Sequence, residues 1–348
     1  MPDEQAPVGM MAPKVAQRWV RPLDVEPGHW KKQLATKHLA VATKGKVQPL
    51  MALLNANPEF LNKRGGHGRT LLWEAARAGK LAAVEFLVER GADVEATGCY
   101  NGETLVQISP MCASIHYDRP AVAAFLKPRV KAPDIFQAAF LGDLARVKRL
   151  IAAQPDLVNA EDPDNEIYFT PPLTFAVAGG QRALAELLLD AGAEISRYGA
   201  QLFHLASGLG CFDLLELLYA RGADPAAVDA GIFVAARDTA TVVWLLDHGA
   251  PVNRVGLGGF PPLVYLARGD KGNTLERMAI LLERGADTDA RGPAGRTALH
   301  YAAASGASPK VELLLTHGAN RRAKDESGLT PLDVAVASSR TSTADLLR

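Results

Sequence analysis

Aromatic rings, a charge excess of either sign and long apolar runs are all scarce in this 348-residue chain. Aromatics make up only 6% of it while apolar residues reach 48%, so a continuous core must come mostly from Ala, Leu and Val. That suits small helices packed closely better than a sandwich filled by inward-facing rings. Lys plus Arg and Asp plus Glu are equal at 38 each, which leaves no global basic field of the kind nucleic-acid binders use. No stretch approaches the roughly 18 consecutive apolar residues of a membrane span. The first twenty residues hold Asp3, Glu4 and several prolines, and lack the basic start and apolar run of a signal peptide. The three cysteines, Cys99, Cys112 and Cys211, are odd in number and have no CxxC spacing. They read as small semi-buried side chains in a reducing compartment rather than a disulfide or metal framework. The expectation is a soluble, cytoplasmic protein without a cofactor. Its Ala, Leu, Gly and Arg richness hints at a GC-rich bacterial source.

What the chain does contain is a repeat. An amphipathic run ends in Gly-Ala-acid or a variant at Gly91, Gly192, Gly222, Gly249, Gly285 and Gly318. A second phrase follows, as in Thr70-Leu-Leu-Trp-Glu-Ala-Ala76, Thr297-Ala-Leu-His-Tyr-Ala-Ala303 and Thr330-Pro-Leu-Asp-Val-Ala335. Ten starts align at Thr36, Thr70, Thr104, Pro133, Pro171, Ala200, Ala230, Pro261, Thr297 and Thr330, with a mean spacing of about 33 residues. Thr at a start caps orphan N–H groups, and Pro172, Pro262 and Pro331 fit the first helical position. The alanine pairs let neighbouring helices approach closely. Gly45, Gly79, Gly142, Gly180 and Gly306, nine residues after their starts, predict a left-handed stop. Leu275, Met278, Leu281 and Leu282 then give a second helix one buried face.

These phrases, most closely residues 68–96 and 295–320, resemble the ankyrin repeat family over roughly residues 34–348. The resemblance implies an all-α solenoid of about ten helix-turn-helix units with hairpin-like connections. Residues 1–33 fall outside it and are expected to cap the first unit, and residues 328–348 to form the C-terminal cap. The unit at 104–132 departs most. Pro110 is expected to interrupt its first helix, and Ser114-Ile-His-Tyr-Asp-Arg119 stands where a two-residue turn belongs. Unit 7 lacks the glycine after its first helix. Unit 8 carries extra residues at its tip (255–260) and inter-helix turn (269–273). Leu50 to Pro58 parallels Leu150 to Pro155, with Asn62 and Asn159 closing similar phrases.

Stacked units present a long open surface, which the resemblance makes a concave face of tips and first helices. Offsets from the ten starts put Arg69, Tyr100, Tyr168, Phe169 and Phe260 on the tips. They put Arg77, Met111, Phe140, Leu141 and Arg268 on the first helices. Aromatics, Met and Arg favour interface centres, so these residues are expected to bind a partner, mainly over units 2–5. The dense polar run His116-Tyr117-Asp118-Arg119 stays open between partner contact, acid–base pair and solvated turn. His300 matches the family's TPLHxA histidine, which implies a hydrogen bond between repeats, and His248 and His317 are placed to cap carbonyls. No catalytic residue is expected. The implied function is a scaffold that binds another protein as an adaptor or an inhibitor of immunity type, a monomer when free, with neither nucleic acid nor membrane as its target. An enzyme site in the irregular units and an effector acting in another cell stand as alternatives.

Overall fold

The structure, a computed structural model, describes residues 34, 36–99, 106–163, 170–269 and 273–348. The expected N-terminal cap and Thr104 lie outside the described residues. Among the described residues, twenty α-helices follow one another in ten pairs. Unit 1 holds α1 (Thr36–Lys44) and α2 (Val47–Ala56), unit 2 α3 (Leu71–Arg77) and α4 (Leu81–Glu89). Unit 3 holds α5 (Pro110–His116) and α6 (Pro120–Leu126), unit 4 α7 (Ile135–Leu141) and α8 (Leu144–Ala153). Unit 5 holds α9 (Pro172–Ala178) and α10 (Arg182–Asp190), unit 6 α11 (Gly199–Leu209) and α12 (Phe212–Ala220). Unit 7 holds α13 (Gly231–Ala235) and α14 (Thr239–Asp247), unit 8 α15 (Pro262–Arg268) and α16 (Thr274–Glu283). Unit 9 holds α17 (Ala298–Ser305) and α18 (Ser308–Thr316), unit 10 α19 (Pro331–Ala337) and α20 (Thr341–Leu347). Each first helix packs on the first helix of the next unit and, in every unit but the seventh, closely on its own partner. None of the described helices is long and apolar enough to cross a membrane.

Small residues set the stacking. Ala75, Ala76, Ala138, Ala139, Ala302 and Ala303 are wholly buried, so first helices meet backbone to backbone. The period is fixed by a polar clamp as well. The Asn62, Asn159 and Asn253 amides each donate to the carbonyl of the next unit's helix-ending glycine, Gly91, Gly192 and Gly285. Each also accepts the backbone N–H of Asp93, Glu194 or Asp287, at 2.8–2.9 Å. One side chain thereby satisfies two groups that the helix end would leave unpaired.

Gly45, Gly79, Gly142, Gly180, Gly210 and Gly306 close first helices with φ between 66° and 78°. In units 3 and 10 the same slot holds Asp118 (φ 54°) and Ser339 (φ 57°). Left-handed backbone costs a residue with a Cβ about 1 kcal/mol, and aspartate tolerates it better than most.

Unit 3 corrects the sequence reading. Pro110 opens α5 rather than interrupting a helix. The Ser109 hydroxyl accepts the Cys112 N–H at 3.3 Å, and a proline at the first position forfeits no hydrogen bond. Ahead of Ser109 the connection is a true antiparallel hairpin, β1 (Gly98–Cys99) against β2 (Gln107–Ile108), with Gly98 opposite Ile108. The buried Trp73 indole donates to the Ile108 carbonyl at 2.8 Å and ties this hairpin to unit 2. His116 therefore belongs to the last turn of α5, and only Tyr117 and Asp118 form the turn.

Unit 7 lacks the left-handed closure, with Ala236 at φ −49°, and in unit 8 the last described residue after the first helix, Gly269, sits at φ −92°. Their loose carbonyls are met instead by buried cations from the following unit. Arg277, on α16 and 8% exposed, donates to the Val234 carbonyl at 2.9 Å and to the Ala236 carbonyl at 2.5 Å. Lys310, on α18 and 5% exposed, donates to the carbonyls of Leu266 and Gly269. The equivalent position is Ala83, Leu184 or Leu214 elsewhere, all buried. In unit 7 a missing glycine stop and an unexpected buried cation are thus one feature, because buried carbonyls need a donor.

Candidate functional site

Two clusters of arginine and aromatic side chains form on the tip and first-helix side. In unit 2 the Thr70 hydroxyl caps α3 through the Trp73 N–H. Arg69 precedes the cap, and Glu74 and Arg77 follow by four and seven residues. Glu74 is 6% exposed. Both arginines converge on it: Arg69 Nη1 at 3.3 Å, Arg77 Nε at 3.0 Å and Arg77 Nη2 at 2.7 Å. Arg69 Nε donates to the Cys99 carbonyl at 2.8 Å, and its guanidinium lies over Trp73, 4.5 Å from the ring. Arg77 reaches the Tyr117 ring at 5.8 Å. His116 meets the Tyr117 ring edge-on and the Phe140 ring, with centroids 5.0 Å and 5.4 Å apart. Burial pushes His116 below the ordinary histidine range. Burial also raises Tyr117, against the pull of Arg77 and Arg69.

The expected site residues therefore divide. Arg69, Arg77, His116 and Tyr117 are brought together. Leu141 is half-buried and packs on the core. Met111 and Phe140 are corrections: they are 6% and 2% exposed and belong to the interior. With Ser109 as the cap, Met111 takes the slot of Leu72, Leu173 and Leu299, each fully buried. Phe140 takes the inter-unit slot of Ala76, Ala267 and Ala303 once Asp134, whose carboxylate accepts the Gln137 N–H at 2.8 Å, is recognised as the cap. Tyr100, Tyr168 and Phe169 lie outside the described residues. In the run His116–Arg119, Asp118 serves the left-handed turn, and Arg119 Nε donates to the Arg77 carbonyl at 3.2 Å.

The second cluster joins units 8 and 9. The Arg268 guanidinium lies 4.1 Å over the Phe260 ring and 5.9 Å from the Tyr265 and Tyr301 rings. Those two tyrosines meet Phe260 edge-on, at 5.9 Å and 6.0 Å. Phe260 and Arg268 were expected here. Tyr265 and Tyr301 were missed, although both stand four residues after a cap, in the column of Glu74. Sequence reasoning also passed over a patch on the second helices, where the Trp244 and His248 rings stack at 4.0 Å and Tyr219, 45% exposed, meets both edge-on.

The other titrating groups have structural roles. His300, wholly buried, faces the Leu329 carbonyl of the next tip at 3.0 Å, as the TPLHxA position implied, and burial pushes it below the ordinary range against that hydrogen bond. His248 and His317 face the Trp244 and Leu313 carbonyls at 2.7 Å and 2.9 Å, as helix caps. Burial pulls Asp325 upward, but the Leu329 and Ser327 N–H groups and Arg296 hold it below the usual carboxylate range. Burial pushes the Cys112 thiol up to about 12, which keeps it a neutral core side chain near pH 7.

Paired helices stacked unit on unit define a repeat scaffold of the class that binds macromolecules. The chain belongs to the ankyrin repeat family: the family model for ankyrin repeats in three copies matches residues 135–229 and 263–348, and the single-repeat model matches 67–99. It is 30% identical over 172 residues, 46% of its length, to the ankyrin repeat and SAM domain-containing protein 6 of Danio rerio. It is 30% identical over 192 residues, 48% of its length, to the nuclear factor NF-kappa-B p105 subunit of Gallus gallus. With the ankyrin repeat protein nuc-2 of Neurospora crassa it shares 26% over 280 residues, 77% of its length. It spans about a fifth of the length of these curated relatives. All three sources are eukaryotic and lend nothing to the compositional hint of a bacterial one. Among solved structures, the ankyrin repeat domain of Bcl-3, a member of the IkappaB protein family, aligns over 62% of this chain and 98% of that one. The TM-score is 0.50 and the identity 29%.

Proposed function

We propose that this chain works by occupancy: it binds another protein along the concave face made by its tips and first helices, as an adaptor or as an inhibitor. The observation that carries this reading is the gathering of Arg69, Arg77, His116, Tyr117, Phe260, Tyr265, Arg268 and Tyr301 on that one side of the array. Rings and arginines concentrate binding energy when they are held rigidly and desolvated on contact. The likeness to Bcl-3 and to the p105 subunit favours a regulator over a passive linker. On this reading the free chain is a cytoplasmic monomer, and its balanced charge suits a protein partner better than nucleic acid or a lipid surface.

The test is purification from the native source followed by cross-linking of whatever protein accompanies the chain in stoichiometric amount. Cross-links concentrated on the tips and first helices are expected. Cross-links confined to the second helices, or turnover of a small molecule by the isolated chain, would overturn the reading.

A further inference from the structure

The two arginine clusters differ in what remains available to a visitor. A guanidinium can offer its face to a ring and its edge, with five N–H donors, to acceptors. In unit 2 both edges are consumed, because Arg69 donates to the Cys99 carbonyl and to Glu74, and Arg77 to Glu74 twice. In unit 8 the face of Arg268 is taken by Phe260 at 4.1 Å, but among the described residues its edge forms no hydrogen bond or ion pair. The side chain is exposed, at the last turn of α15. One acid of the unit 10 tip, Asp325, is already committed. It accepts the Ser327 and Leu329 N–H groups through Oδ1 and Arg296 Nε through Oδ2.

Two further cations of these tips are held by carbonyls rather than carboxylates. Arg254 Nη1 donates to the Ala226 carbonyl at 2.5 Å, and Arg291 Nη1 to the Gly295 and Lys324 carbonyls at 2.7 Å and 2.8 Å. Carbonyl partners order these side chains without cancelling their charge. Among the described residues, Arg254, Arg268 and Arg291 thus carry positive charge with no carboxylate paired to them, and Arg268 is already held by three rings. Immobilising the arginine beforehand removes much of the side-chain entropy that a charged contact normally costs.

From this we infer that the edge of Arg268, seated over Phe260 and flanked by Tyr265 and Tyr301, receives an aspartate or glutamate side chain from an acidic segment of the partner protein. A planar guanidinium fork matches a carboxylate through two parallel N–H···O bonds. The inference rests on the reading that the tip and first-helix side is where a partner docks, and it names the chemistry that unit 8 selects there.

The test uses the full chain as bait and a random peptide library displayed on phage as probe. Selection is expected to enrich peptides sharing an acidic residue at one position. In a selected peptide, changing that residue to its amide, or Arg268→Gln in the protein, should each weaken binding about tenfold, with the double change no worse than either alone. Arg182→Gln, on the outward second helix of unit 5, should leave the affinity unchanged, and unaltered circular dichroism of Arg268→Gln confirms an intact fold. The inference falls if the enriched peptides share no acid, if they bind the Arg268→Gln protein as tightly, or if only a phosphoserine at that position restores binding. Peptides that ignore Arg268 but lose affinity with His116→Ala or Tyr117→Ala would remove the carboxylate site and keep the docking face. A library that yields nothing would remove both.

Discussion

Units 2 and 8 place their key side chains at the same three offsets and arrive at opposite results. Around the cap of unit 2 stand Arg69, Glu74 and Arg77; around that of unit 8 stand Phe260, Tyr265 and Arg268. The arginine seven residues after the cap is common to both. Four residues after the cap, an acid in unit 2 gives way to a ring in unit 8. Glu74 is buried and neutralises its neighbours, so the unit 2 cluster staples the hairpin and unit 3 to the array. Tyr265 supports Arg268 without neutralising it, which leaves a fixed cation facing outward. The repeat supplies the geometry, and one column of it separates a fastener from a contact.

The comparison is broken most severely by Glu74→Ala. Removing the shared acid leaves two arginines without their partner, and the loss should be about 3 kcal/mol in urea unfolding, the low end for breaking a buried pair because Arg77 is one-third exposed. If Arg268→Gln cost as much, the claimed difference between the units would vanish; it should stay within about 0.5 kcal/mol. Next comes the buried cation inside unit 8. Arg277→Met leaves the Val234 and Ala236 carbonyls without donors and should cost about 2 kcal/mol. Amide exchange should accelerate first in α13, which is only five residues long.

Acid provides a third lever, through His300 in unit 9. Its folded value lies below the ordinary one, so between the two the unfolded chain binds more protons. Stability present above about pH 6.5 is therefore lost as pH falls, by up to about 1.4 kcal/mol per pH unit for this one group. Thermal melts at a series of pH values should show that slope, reduced in His300→Gln. The smallest effect on stability is the most informative for function. Tyr265→Glu rebuilds the unit 2 arrangement in unit 8, with an acid three residues before Arg268. Stability should change by no more than about 0.5 kcal/mol, while capture of acidic peptides should disappear.

Much of this molecule is legible in its residues, for identifiable reasons. The glycines that need a left-handed backbone, the alanine pairs and the threonine and proline starts recur with the repeat, and ten helix pairs stand close to where those signals put them. The errors cluster where one unit solves a shared problem with another residue. Ser109 and Pro110 replace the usual start of unit 3 after a lengthened connection, which moved Met111 from an expected surface position into the core. A one-residue displacement of the unit 4 cap did the same to Phe140. Asp118 and Ser339 fill a glycine slot unannounced. Nothing in a helical pattern marks Arg277 and Lys310 as buried, because it does not signal that a neighbouring unit needs donors for its carbonyls. Of the candidate site, the arginines and Phe260 were visible, whereas Tyr265 and Tyr301 acquire meaning only when two units are laid side by side.

Hydrogen–deuterium exchange of the chain, free and bound to the protein that accompanies it from its source, tests the central claim most directly. The account predicts slowed exchange on the tips and first helices of units 8 and 9, from Phe260 to Arg268 and from Pro293 to Tyr301, with the second helices unchanged. Slowing centred instead on α12 and α14, around Tyr219, Trp244 and His248, would contradict it.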